Sequence, residues 1–283
     1  MSSSTDPTED CDNACSSCAV DCSSRTEPTD IKAPVHAQTH IKHVIAVVSG
    51  KGGVGKSLVT SLIASALRRQ GYSVGILDAD ITGPSIPRAF GVEEKLRANA
   101  QGILPSVTKS GIQVVSTNLV LPDETTPVLW RGTIISGLVK QFYSEVIWGD
   151  VDYLLIDMPP GTGDVPLTVY QSLPIDGVII VTAPQDLVSM IVGKAINMAG
   201  TMEVPVLGIV ENMAYFECPD CGSRHDIFGA SHIDKIADEY GIGLVAQLPI
   251  CPNFARHMDE GEVEQLDTSV LDEFTEVLIA DKK

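Results

Sequence analysis

Eight consecutive residues carry the clearest chemistry. Gly50-Lys51-Gly52-Gly53-Val54-Gly55-Lys56-Ser57 fits the spacing G-x-x-x-x-G-K-[ST]. The glycines let backbone N–H groups curl around phosphate oxygens. Lys56 reaches the β and γ oxygens of a triphosphate, and the Ser57 hydroxyl binds Mg²⁺. A helix beginning there points the positive end of its dipole at the same anion. A β-rich apolar run precedes the segment and a helical pattern follows it, which is the context a phosphate loop requires. The expected ligand is Mg·ATP, held by residues 50–57.

Two later segments supply carboxylates. Asp78 and Asp80 end one apolar run, and Asp157 ends another, Tyr153-Leu154-Leu155-Ile156. Mg²⁺ keeps several waters and needs few direct carboxylates. Ser57 is therefore the expected direct ligand, with Asp80 and Asp157 acting mainly through water. Asp80 is also the candidate for orienting the attacking water, which makes Lys51, Lys56 and Asp80 the expected catalytic set. Pro159-Pro160-Gly161-Thr162-Gly163-Asp164 is stiff and then flexible, as a loop that senses the γ-phosphate and rearranges on hydrolysis must be. Lys51 is not required by the generic motif. Either it reaches a phosphate, including one bound by a neighbouring subunit, or it is a solvent-exposed lysine.

Cys218-x-x-Cys221 presents two thiolates in one tight turn, half of a tetrahedral Zn²⁺ site or half of a [4Fe–4S] site. The missing ligands come either from the same chain, where Cys251, His225 and His232 are candidates, or from a two-fold symmetry mate. Four more cysteines, Cys11, Cys15, Cys18 and Cys22, crowd into a segment with no core to bury them. They read as ligands of a second cluster or of zinc.

The elements that must position these groups alternate along the chain. Residues 1–40 are rich in Ser, Thr, Asp and Pro and lack aromatics, so this extension is expected to be disordered unless a metal organises it. From residue 41 to 283 strands and helices repeat. Strands are predicted at 43–49, 73–78, 112–116, 153–157, 177–182, 206–212 and 244–248. Helices are predicted at 56–70, 133–148, 187–202, 231–240 and 269–280. Such alternation predicts an α/β fold of three layers, a mostly parallel sheet covered by helices on both faces, with ligands at the carboxyl ends of the strands. The last helix carries Asp272, Glu273 and Glu276 on its polar face, the wrong sign for anionic lipid, so it is expected to dock on the domain's own core.

The 283 residues are 44% hydrophobic but only 5% aromatic, as a core of Val, Ile, Leu and Ala requires. The net charge of −18 repels phosphate backbones and anionic headgroups, which argues against nucleic acid and membrane as partners. No apolar run is long enough to span a membrane, and the polar N-terminus is not a signal peptide. The expected compartment is the cytoplasm, where cysteines stay reduced and clustered ones serve metals.

The K-G-G-x-G-K-S form of the glycine segment resembles the deviant P-loop of the MinD/ParA/nitrogenase iron protein class. Leu77-Asp78-Ala79-Asp80-Ile81-Thr82-Gly83-Pro84-Ser85 and Trp130-Arg131-Gly132 resemble segments of the Mrp/ApbC family. So do the string from Ile156 to Asp164, Glu211-Asn212-Met213 and the Cys218–Cys221 pair. Thr133, the Ala230-Ser231-His232 run and Cys251 depart from that family's pattern. The resemblance implies an ATP-hydrolysing carrier or scaffold for an iron–sulfur cluster that serves apo-proteins together with cluster assembly factors. It implies a homodimer with one [4Fe–4S] cluster bridged by Cys218 and Cys221 of both copies. It also implies that Lys51 reaches across the dimer and that Asn212 holds the adenine edge. The competing reading is a MinD/ParA-like positioning ATPase with a structural zinc. It accounts for the P-loop and Lys51 but not for the cysteine pair, and it expects basic surface that this sequence does not offer.

Overall fold

Both faces of the central sheet are buried in the computed structural model, which describes residues 32–80, 85–120, 132–184 and 188–280. β1 (His40–Val48) leads through the glycine segment to α1 (Lys56–Arg69) and β2 (Val74–Asp78). A short α2 (Ile86–Ala89), then β3 (Arg97–Ala98), β4 (Ile103–Leu104) and β5 (Ser106–Val107), precede β6 (Gln113–Ser116). Next come α3 (Gly132–Glu145), β7 (Asp150–Asp157), α4 (Asp164–Ser172), β8 (Gly177–Thr182), α5 (Val188–Thr201) and β9 (Val206–Glu217). The chain continues with β10 (Arg224–His225), α6 (Ile233–Tyr240), β11 (Val245–Pro249), α7 (Pro252–Glu260) and α8 (Asp272–Ala280).

The main sheet runs β10-β9-β8-β1-β7-β2-β6-β5, with β11 also paired to β9. Strands β11, β9, β8, β1, β7, β2 and β6 are mutually parallel. Only β5 and β10 join this sheet antiparallel. The strand sequences explain the layering. Along β1, Val44, Ala46 and Val48 enter one core with residues of α3, α4, α5 and α6, among them Phe142, Tyr170 and Ile236. Ile45 and Val47 enter the other with residues of α1, α2 and α8, among them Leu62, Ile86 and Phe274. A strand buried on both faces must be apolar throughout. Each such Val, Ile or Leu contributes about 1.5–3 kcal/mol of burial. The three-layer α/β expectation is thus met. The last helix also docks as expected, with Phe274 and Leu278 buried.

Several element ends differ from the sequence reading for local reasons. α3 stops at Glu145 rather than 148, because Trp148 turns back into the core and its indole N–H donates to Phe142 O. Residues 269–271 form a single 3₁₀ turn before α8. Helices α2, α4 and α7 have no counterpart among the expected helices. α7 buries none of its residues fully, and its apolar stripe is only Phe254 and Met258, one turn apart, which pack partly buried against the core. β9 extends to Glu217, five residues beyond the predicted end at 212.

Upstream of β1, Lys32 Nζ donates to Tyr170 O and Leu173 O, and Ala33 N donates to Ser172 O. Residues from Lys32 onward therefore belong to the same compact unit as the sheet. Cys11, Cys15, Cys18 and Cys22, residues 81–84 and the Trp130-Arg131 pair lie outside the described residues. Among the described residues, no helix is long and apolar enough to cross a membrane.

Candidate functional site

The carboxyl ends of β1, β2 and β7 are adjacent in the sheet, and they bring the glycine segment and the carboxylates together. Asp157, fully buried at the end of β7, is the hub. Its Oδ2 accepts from Ser57 Oγ at 2.6 Å, and its Oδ1 accepts from Thr60 Oγ1 at 2.8 Å. Lys56 Nζ lies 2.9 Å from Asp157 Oδ1 and 3.6 Å from Asp80 Oδ2. Lys56 is 94% buried, yet none of its contacts among the described residues is aligned as a hydrogen bond. A buried ammonium with unused donors suits an anionic oxygen.

Asp78 sits one strand over, fully buried. Its Oδ2 accepts from Ser116 Oγ at 3.0 Å and its Oδ1 accepts from Asp80 N at 3.1 Å. Burial, and then the charge of Asp157, push the Asp78 carboxyl well above the usual carboxylate range. Asp78 thus fixes the backbone that presents Asp80.

The cleft over these groups has a volume of about 250 Å³. Its lining includes Gly52, Lys56, Ser57, Asp80, Pro160 and Met258. The donor set is a hydroxyl and carboxylates, hard oxygens that match Mg²⁺, and the unaligned Lys56 ammonium matches a phosphate. The residues present therefore fit Mg·nucleotide. Ser57 would hold the metal directly, with Asp80 and Asp157 behind it. The loop after Asp157 is pinned to β1, since Met158 N donates to Val47 O and Gly161 N to Ser49 O. Lys51, Gly52 and Gly53 are exposed on the outer turn of the segment.

Asn212 lies on the other side of the glycine segment. Its Nδ2 donates to Val54 O at 3.0 Å, and the side chain is buried. The next residue, Gly55, has φ +87°, and a Cβ there would run into Asn212 Nδ2. Gly55→Ala is expected to weaken ATP affinity at least about tenfold, from the left-handed backbone penalty together with that clash. Titration with a fluorescent nucleotide checks this, and unchanged affinity would rule out the tight fit.

Half-buried Cys218 and exposed Cys221 form a separate constellation. β9 and β10 pair through Glu217↔Arg224 and Phe216↔His225. Inside this hairpin Cys218 N donates to Ser223 O, and Gly222 N donates to Cys218 O. Cys221 Sγ lies 3.2 Å from Ser223 Oγ. Hydrogen bonds from the Ser223 hydroxyl and backbone, and then from Cys218, hold the Cys221 thiol below its usual range. Ser223→Ala is expected to move the midpoint of Cys221 alkylation to higher pH, read from alkylation rate against pH. Cys251, at the start of α7, and His225 and His232 do not complete a site. Among the described residues, no group of three or more His, Cys, Asp or Glu side chains is placed to hold a metal.

Three contributors escaped the sequence reading. Thr60 shares the Ser57 face of α1 at i+3, a spacing that was available to read. Ser116 closes β6 beside Asp78, and Met258 lines the cleft from α7. Nothing in sequence order places either of these two there.

The family described as "ParA: NUBPL iron-transfer P-loop NTPase" matches residues 40–280. A Clostridium perfringens protein named iron-sulfur cluster carrier protein is 44% identical over 267 residues, covering 89% of this chain and 94% of its own length. A protein of the same name from Methanocaldococcus jannaschii is 45% identical over 280 residues, 95% of each chain. Among solved structures, a nucleotide-binding protein from Archaeoglobus fulgidus in complex with ADP superposes with a TM-score of 0.76 at 45% identity, covering 83% of this chain and 92% of that one. The MinC:MinD cell division complex of Aquifex aeolicus gives a TM-score of 0.60 at 20% identity over 84% of this chain and 96% of that one, a likeness of fold alone.

Proposed function

This chain belongs to the NUBPL iron-transfer family of ParA-type P-loop NTPases, and on that premise we propose that it hydrolyses Mg·ATP slowly to govern how it holds and releases an iron–sulfur cluster. The cluster is cargo. It sits between Cys218 and Cys221 of two copies in a homodimer, as [4Fe–4S], and passes to apo iron–sulfur proteins in the cytoplasm with the help of cluster assembly factors. The N-terminal Cys11, Cys15, Cys18 and Cys22 hold a second cluster.

The observation that carries this reading is the hairpin. It offers two thiols at the surface, and no third ligand joins them among the described residues. Such a half-site suits a cluster shared across a two-fold axis, and its exposure suits transfer. Hydrolysis asks for positioning and charge stabilisation. Lys56 holds the β and γ oxygens, and Lys51 reaches the phosphates of the opposite copy. Asp80 orients the attacking water. Asn212 reads the adenine edge beyond its bond to Val54. Asp157 keeps Ser57, Thr60 and Lys56 in register. The loop over 159–164 responds to the γ-phosphate. Mg²⁺, held by Ser57 with Asp80 and Asp157 behind it, would supply charge neutralisation at the phosphates.

The test is anaerobic reconstitution of the full chain with iron and sulfide, followed by transfer to an apo-ferredoxin with and without ATP. The expected product is a brown dimer that activates the acceptor faster with ATP. A colourless monomer holding tight zinc would overturn the carrier reading.

A further inference from the structure

The nucleotide cleft and the cysteine hairpin share one strand. β9 contacts the P-loop at Asn212 and ends at Glu217, where Cys218 begins the hairpin. Cys218 lies six positions after Asn212, at most about 20 Å of extended chain.

That strand is broken at one place. Between Glu211 and Tyr215 it advances four residues while its partner β11 advances two, from Gln247 to Pro249. Pairing with β8 also ends at Glu211. Residues 212–214 therefore bulge, and at the centre of the bulge Met213 has φ +58°. Among the described residues, the other non-glycine with positive φ is Glu203, which closes α5 with Glu203 N donating to Gly200 O. A left-handed conformation there is ordinary helix termination. Met213 has no such explanation. Bulges of this kind re-aim side chains beside functional sites, and this one aims Asn212 at Val54 O.

Both flanks of the bulge are tied to neighbouring elements. On one side Glu211, buried, accepts from Ser231 Oγ at 2.6 Å and Gln247 Nε2 at 2.8 Å. On the other, Ile250 N donates to Tyr215 O, and the Arg224 guanidinium lies 4.2 Å over the Tyr215 ring. Arg224 belongs to β10, so the cysteine hairpin is clamped to the end of β9 and moves with it. Displacement of the P-loop peptide that Asn212 holds has one continuous route to the thiols.

We propose that the 212–214 bulge is a positioning element that couples the P-loop to the cysteine hairpin, so that nucleotide bound at Lys56 re-aims Cys218 and Cys221. A triphosphate draws the loop's N–H groups toward it and turns the 54–55 peptide. Asn212 follows that carbonyl, and Met213, restricted in φ, passes the shift along β9 instead of absorbing it. This rests on the carrier reading only for its purpose, since the thiols respond whether or not a cluster is loaded.

The experiment follows alkylation of Cys218 and Cys221 in the metal-free full chain by peptide-resolved mass spectrometry. It compares no nucleotide with Mg²⁺ and a non-hydrolysable ATP analogue, and records the mass in solution under each condition. The wild-type rate is expected to change at least about fivefold on nucleotide addition, the low end of ordinary coupling between sites. Met213→Ala removes the thioether but keeps the restricted backbone, so it retains this response. Met213→Gly rotates freely and lowers the ratio to near one, with nucleotide affinity and nucleotide-dependent association unchanged. A wild type without response, a Met213→Gly protein with the full response, or a Met213→Ala protein that behaves like Met213→Gly overturns the proposal. A response that tracks association equally in all three proteins also overturns it. A failed relay leaves cluster reconstitution intact, and a failed carrier reading leaves the thiol response intact, so the two are distinguishable.

Discussion

On the bridging site proposed above, replacing Cys218 and Cys221 together by alanine is expected to remove the iron shared between two copies. The argument is one of ligand number. Each copy offers two thiolates from one hairpin, and no third ligand joins them among the described residues. Removing the pair from both copies leaves nothing to hold the cargo. The hairpin is bound by its own backbone, through Cys218 N to Ser223 O and the Glu217↔Arg224 pairing, and not by thiol packing. The fold should therefore lose no more than about 0.5 kcal/mol, as exposed substitutions do. Iron content, visible absorbance and a denaturation curve check this together. Partial colour remaining in the variant would be the signature of the second cluster proposed for the N-terminal cysteines. Full iron retention by the variant would show that these two thiols do not hold the cluster.

Lys56→Met is expected to lower the ATPase kcat at least about 100-fold, the size of losing one preorganised donor to developing charge. Asp157→Ala should be equally inactive but for an additional reason. It strips the acceptor from Ser57 and Thr60 and leaves the buried Lys56 ammonium without its nearest carboxylate. Breaking a buried pair in this way costs about 3–5 kcal/mol. Asp80, 3.6 Å from Lys56, holds the loss toward the lower end. The combined Lys56→Met/Asp157→Ala protein removes the stranded charge, so it should recover much of the stability with no recovery of hydrolysis. Urea unfolding beside steady-state phosphate release separates the two effects. A double variant as unstable as Asp157→Ala alone would show that the ion pair is not the source of the loss.

The parts of this protein that local physics dictates were readable in its sequence. The glycine segment states its own conformation, and apolar runs such as Tyr153-Leu154-Leu155-Ile156 announce strands buried on both faces. The three-layer architecture and the joining of Lys56, Ser57, Asp80 and Asp157 followed from that. What was not readable depends on contacts distant in sequence. Ser116 reaches Asp78 only because β6 neighbours β2. α7 offers only Phe254 and Met258, one turn apart, too short a stripe to read, and Met258 enters the cleft unannounced. The bulge in β9 arises where its pairing with β8 ends and β11 skips register. The sequence Glu211-Asn212-Met213 shows neither event, because methionine carries no signal for a left-handed backbone. Ser231, in the run that departs from the resembled family's pattern, holds Glu211, a structural use that only the fold reveals.

The outer strands of the sheet have a bearing on how copies can meet. β5 and β10 are two residues each, and β11 is five residues and ends in Pro249. Proline and brevity blunt an edge as a template, because few unpaired N–H and C=O groups remain for a foreign strand to copy. Lateral growth of the sheet from chain to chain, the route to fibres and domain-swapped aggregates, is thereby disfavoured.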